Sequence, residues 1–193
     1  MLQENRAALK EWAVVARALG SGRQTLLLRK GGIQERRGEF AAEHSEFFIF
    51  PTYLHQKPED LLPDWREDLE LSQTERPPAG LVSIDYYAVV REVFHVSDLP
   101  PLKLLQGEHM LSWPAVERRF HYKDRPGLHI FAVRTYTLPR TLTVSNLPEY
   151  DGCVSWVELD RPLPTAGSCP VLPESEFHHR VEAIRRVLAP VAA

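Results

Sequence analysis

Cysteine is almost missing: Cys153 and Cys169 are the only two in 193 residues. Two thiols are too few for a disulfide scaffold, and their separation matches no paired zinc knuckle. Long apolar runs are also missing. The longest, Phe47-Phe48-Ile49-Phe50, falls far short of the roughly 20 residues that cross a bilayer. No charge sign dominates: 23 Lys and Arg face 26 Asp and Glu, for a formal net charge of -3. A pI near 6.2 excludes coating nucleic acid through bulk charge, so any contact with phosphate must come from a local patch. Glycine, at 10, is outnumbered by proline, at 16, which points to rigid loops and short elements. With 44% hydrophobic and 25% charged residues, the composition excludes collagen, a disordered tail and a coiled coil. The opening Met1-Leu2-Gln3-Glu4-Asn5-Arg6 has an early acid and no apolar stretch, so the expectation is a chain without a secretory leader, reduced and cytoplasmic, with no membrane partner.

What is present reads as a series of short elements. Residues 3–11 carry polar, Ala and Leu residues that suggest a short helix, and 12–19 (WAVVARAL) reads as a central strand, apolar on both faces. After Gly20-Ser21-Gly22, residues 25–28 start a second strand, as if in a hairpin. One or two helical turns fit 38–44, and an aromatic strand fits 46–53. Further strands are expected at 86–96, 102–105, 128–137, 142–144 and 153–159. Ser112 followed by Trp113-Pro114 opens a helix that runs to about residue 122. Near 175–189, Phe177, Val181, Ile184 and Leu188 form the apolar stripe of a closing amphipathic helix.

Between 58 and 78, seven acids stand against Arg66 and Arg76, with proline at 58, 63, 77 and 78. This is the best candidate boundary in a single domain of 1–193, a solvated connector between sub-halves 1–57 and 79–193. Ala13-Val14-Val15 also matches Ala88-Val89-Val90, and Thr52-Tyr53 matches Thr135-Tyr136. The expectation is an α+β protein. Two ββαβ-like halves would share a mixed or mainly antiparallel sheet or split barrel, with the C-terminal helix packed on it.

Several residues could carry chemistry. Arg29-Lys30-Gly31-Gly32 brings two cations off a strand end into a double glycine, whose N–H groups could approach an anion closely. The spacing is not that of a Walker loop. Solvated cations at a hairpin end are the plain alternative. Arg118, Arg119, His121, Lys123 and Arg125 cluster with Trp113, Phe120 and Tyr122, a combination that can grip a phosphate backbone and stack bases; the alternative is a solvated basic face diluted by Glu117 and Asp124, with Trp113 and Phe120 in the core. Glu35, Glu39 and Glu43 would share a helix face beside His44, and with His55 could serve a divalent ion or supply a general base. A solvated acidic face is the alternative there. The eight histidines form no recognisable metal motif, and no cofactor is implied. Asp151 and Glu158 match part of a nuclease core of the acidic–Glu-x-Lys type, but Asp160 stands where its lysine should be.

The segment Leu26-Leu27-Leu28-Arg29-Lys30-Gly31-Gly32-Ile33, then Phe50-Pro51-Thr52-Tyr53-Leu54-His55-Gln56 and Gly152-Cys153-Val154-Ser155-Trp156-Val157-Glu158-Leu159, resembles the bacterial domain-of-unknown-function family 1802. The resemblance runs the length of the chain and brings no established activity. It implies a link to DNA or defence, with a partner protein from a restriction-type system. The combined reading is a non-catalytic accessory module for a phosphate-bearing ligand or nucleic acid. The alternatives are a metal-dependent phosphoester hydrolase using Glu39, Glu43, His44 and His55, or a protein–protein adaptor.

Overall fold

A computed structural model describes residues 1–30, 33–36, 39–152 and 154–188. In chain order the elements are β1 (Glu4–Trp12), α1 (Ala13–Gly20), β2 (Leu26–Arg29), β3 (Ile33–Arg36), β4 (Glu39–Ala42), β5 (Glu46–Thr52) and α2 (Arg66–Thr74). Then come β6 (Leu81–Val96), α3 (Leu99–Leu104), α4 (Trp113–Phe120), β7 (Leu128–Ser145), β8 (Trp156–Pro164), β9 (Cys169–Pro170) and α5 (Glu174–Leu188). Seven strands form one open, mixed sheet in the order β2-β7-β6-β5-β1-β8, with β9 beside β7. Only β1 and β5 run parallel among its neighbours. A separate hairpin pairs β3 with β4.

The α+β class, the mixed sheet and the C-terminal helix agree with the sequence reading. The first two elements exchange identities. Residues 4–12 form a strand because both edges find partners: Ala8 faces Phe48 of β5 and Val157 of β8. Ala7 and Leu9 then enter one core while Ala8 enters the other, the two-sided burial of a central strand. The apolar run after Trp12 forms α1 instead, burying Val14, Val15, Ala18 and Leu19. An apolar run of this length does not distinguish a buried helix from a buried strand. Residues 99–104 likewise form α3 rather than a short strand, with its prolines in the first turn, where no N–H is required. The ββαβ repeat therefore does not form, since Ala13-Val14-Val15 is helical and Ala88-Val89-Val90 lies in β6. The sheet is not closed into a barrel.

β6 and β7, of 16 and 18 residues, pair along most of their length, with register shifts at Ile84/Tyr86 and Val90/Glu92. Such shifts bend a ladder and raise its twist. The bent sheet carries two cores. One holds Val14, Leu19, Phe47, Phe131 and Val116, with Leu61, Trp65 and Leu69. The other holds Phe48, Phe50, Tyr87, Leu138 and Leu159. Segment 58–78 is thus anchored: three of its side chains lie in the first core, and Leu61 bridges to Leu111. α5 buries Phe177 and Val181 against Ala132 of β7, and Ile184 in the first core.

Candidate anion-binding cleft

A hollow of about 720 Å³ lies where the ends of β1, β2 and α4 meet the loop that leads into β7. Such a volume suits a small-molecule or nucleotide-sized guest. Six cations line it: Arg29, Lys30, Arg118, Arg119, Lys123 and Arg125. Asp60 is the one acid on its wall among the described residues, and Trp12 and Tyr122 supply aromatic faces. The two basic segments picked out in the sequence, 90 residues apart, are thereby brought together.

The six cations do different jobs. Arg29 sits at the end of β2, and its Nη1 donates to Glu11 Oε2 at 2.7 Å; both side chains are buried. β2 and β1 lie four strand spacings apart in the sheet, roughly 19 Å if it were flat. The ion pair can form only because the sheet curls, and it fixes that curl. Lys30 donates to the carbonyls of Phe120 (2.8 Å), Gly127 (2.7 Å) and Arg125. Its three donors are all engaged, so it fastens the loop after α4 rather than reaching into the hollow. Burial lowers the Lys30 pKa, and the positive charge of Arg125 lowers it further.

Arg119 donates to Leu28 O at 3.2 Å and lays its guanidinium 5.0 Å from the centre of the Trp12 ring. Burial holds its pKa below the ordinary arginine value. Glu11 and Asp60 oppose that shift, while Arg29 and Arg118 add to it. Arg118 pairs with Asp60. Lys123 and Arg125 are exposed and make no ion pair among the described residues. Two cations thus form ion pairs, Arg29 with Glu11 and Arg118 with Asp60; the other four form none among the described residues. Like charges held together in a concave site, with perturbed proton affinities, are a physical signature of a functional centre.

The loop that presents these groups is itself unusual. Lys123 and Asp124 both have left-handed backbones, with φ of 58° and 53°. Non-glycine residues hold that conformation only where their surroundings impose it. The Lys30 hydrogen bonds to Phe120, Arg125 and Gly127 bracket both residues.

The other residues singled out from the sequence lie elsewhere. Gly31 and Gly32 lie outside the described residues. Residues 39–42 form β4 rather than a helical turn, so the expected helical row of Glu35, Glu39 and Glu43 does not exist: Glu35 is on β3 and Glu39 on β4. Glu43 and His44 line a second hollow of about 470 Å³ with Arg6, Trp156 and Glu158, and the His44 ring meets Trp156 edge-on at 4.9 Å. His55 is exposed in the turn after β5, with φ of 63°. His44 and His55 flank opposite ends of seven-residue β5, at least roughly 20 Å apart by strand rise. They cannot act on one ion or one substrate atom. Neither lines the cationic cleft. No group of three His, Cys, Asp or Glu with metal-holding geometry occurs among the described residues. Cys169 is free and exposed. No described helix is long and apolar enough to cross a membrane.

Two contributors escape the sequence reading. Trp12 falls at the start of an expected strand, and nothing local marks it as a cleft wall. Asp60 has a usable signal, because an acidic segment in a chain with a basic helix invites pairing between the two.

Fold and cleft together define a mixed α+β protein with a cationic hollow at the curled side of an open sheet. Over residues 8–183 the sequence matches the family Domain of unknown function (DUF1802), and the chain belongs to that family. In fold it is similar to the crystal structure of ASCH from Zymomonas mobilis, with a TM-score of 0.45 and 15% identity over 91% of this chain and 93% of that one. It is also similar to a single-substitution variant of that protein, with a TM-score of 0.43 and 14% identity over 95% and 99% of the two chains. No curated protein matches the chain.

Proposed function

We propose that the cleft binds the phosphates of a nucleic acid or another phosphate-bearing ligand, and that the protein is a cytoplasmic accessory module of a DNA-linked, restriction-type system rather than the enzyme that cuts. The observation that carries the binding reading is the set of six cations around one concave surface, four of them without an ion pair among the described residues. An anion entering there would relieve their mutual repulsion and receive charge-assisted hydrogen bonds from Arg119, Lys123 and Arg125. The DNA-linked setting is supported by the family resemblance alone.

The test is binding of a labelled oligonucleotide across a salt series. Affinity should fall steeply with salt, and the double variant Lys123→Ala with Arg125→Ala should weaken binding at least tenfold. It should also reduce the log–log salt slope by about one for each phosphate contact removed. If affinity and slope both survive the double substitution, the cleft is not the phosphate site. Arg29 and Lys30 are poor probes, because both are tied into the fold.

A further inference from the structure

Resting on that phosphate reading, we infer that the cleft's guest is an unpaired stretch of nucleic acid, with a base stacked on Tyr122, rather than a duplex. The Tyr122 side chain lies on the cleft wall, and the residue is 54% exposed. Much of this aromatic ring is left open to water inside a cationic hollow. Phe120, two residues earlier, is by contrast buried in the core at 3% exposure. Lys123 Nζ stands 5.4 Å from the Tyr122 ring centre, and Arg125 follows on the same loop. One short loop thus offers a flat π surface beside two cations that form no ion pair among the described residues, near the guanidinium of Arg119 laid over Trp12.

That combination fits a nucleotide with both its parts accessible. Cations take the phosphate while the ring takes the base face, and every base has such a face. A double helix offers only base edges, through its grooves, so an aromatic platform gains nothing from it. A lone phosphate or pyrophosphate would use the cations and leave the ring idle. Several cations spread around one hollow also fit a backbone with successive phosphates better than a single anion.

The experiment uses the full chain and four probes: a labelled ten-nucleotide oligothymidine, its oligouridine counterpart, a duplex of equal phosphate count, and inorganic pyrophosphate as competitor. The single strands should bind at least tenfold tighter than the duplex. Tyr122→Ala should cost roughly 5- to 100-fold in single-strand affinity while leaving the salt slope intact, and Tyr122→Phe should retain most of the affinity. The ring is exposed, and circular dichroism with a urea midpoint checks that each variant keeps the fold. Equal binding of strand and duplex, or indifference to Tyr122→Ala, overturns this inference while leaving the phosphate reading standing if the Lys123 and Arg125 variant still fails to bind. No binding by any probe overturns both.

Discussion

Lys30 shows how a cation can serve a binding site without touching the ligand. Its ammonium is surrounded by three carbonyls, from Phe120, Arg125 and Gly127, which span the start and end of the loop carrying Tyr122, Lys123 and Arg125. Lys30→Met would leave those carbonyls without their donor, at a cost of about 1–3 kcal/mol. It would also free residues 123 and 124 from their left-handed conformations. Amide hydrogen exchange across 121–127 should quicken at least tenfold in Lys30→Met; unchanged exchange would show that the loop holds itself. Arg29 has a related role one residue earlier. Its pairing with buried Glu11 bridges strands that are not neighbours in the sheet, so its charge belongs to the architecture. The Arg-Lys pair is legible in the sequence as a candidate site, but the contacts it makes are not. Which carbonyls and carboxylates reach a side chain depends on segments 18 to 97 residues away.

At the scale of elements, what the sequence revealed depended on whether local preference and tertiary pairing agreed. The strands expected at 46–53, 86–96 and 128–137, rich in β-branched and aromatic side chains, correspond to β5, β6 and β7, and the helix expected near 175–189 corresponds to α5. β6 starts earlier, at Leu81, and β7 runs on to Ser145, joining the separately expected strand 142–144. Residues 4–12 hold Ala, Leu, Lys and Glu, all good helix formers, yet two flanking strands impose extension on them. The helix after Ser112 also formed as read, but the Ser112 hydroxyl does not cap it. The hydroxyl donates to Glu59 O at 2.9 Å and so ties α4 to segment 58–78. At the end of α1, Gly20 is required by packing rather than by backbone conformation. A Cβ there would lie 2.0 Å from Cζ of the Tyr86 ring. Replacing a helical glycine with alanine ordinarily stabilises by up to about 1 kcal/mol. Gly20→Ala should instead destabilise by about 1–3 kcal/mol, read as a lower urea midpoint, because the half-buried Tyr86 ring must leave its place over α1. A raised midpoint would mean that Tyr86 has room to turn aside.

The molecule as a whole has a built-in sensitivity to acid. His109 is buried at 2% exposure, with Nδ1 accepting from the Leu111 N–H at 3.2 Å. Burial, and then the charge of Arg119, pull its pKa from 6.5 down to about 4. The unfolded chain therefore takes up a proton below about pH 6.5 that the folded chain refuses until about pH 4. Stability is complete above that window and is lost as the pH falls through it, by on the order of 3 kcal/mol from this group. Urea unfolding at pH 7 and pH 4.5 should show the drop. The pKa of His129, half-buried beside His95, is lowered to about 4 in the same way, so His109→Asn should reduce the drop without abolishing it; an equal drop in the variant would assign it to other groups. The order of strands has a consequence of another kind, for synthesis on the ribosome. β2 carries Leu26, Leu27 and Leu28, and among the described residues its one strand partner is β7, at residues 129–132. About a hundred residues must leave the exit tunnel before that leucine row finds its mate, on the order of ten seconds at ordinary elongation rates. During that interval the nascent chain displays a sticky ribbon, so newly made protein is expected to depend on chaperones in a way the finished fold would not suggest.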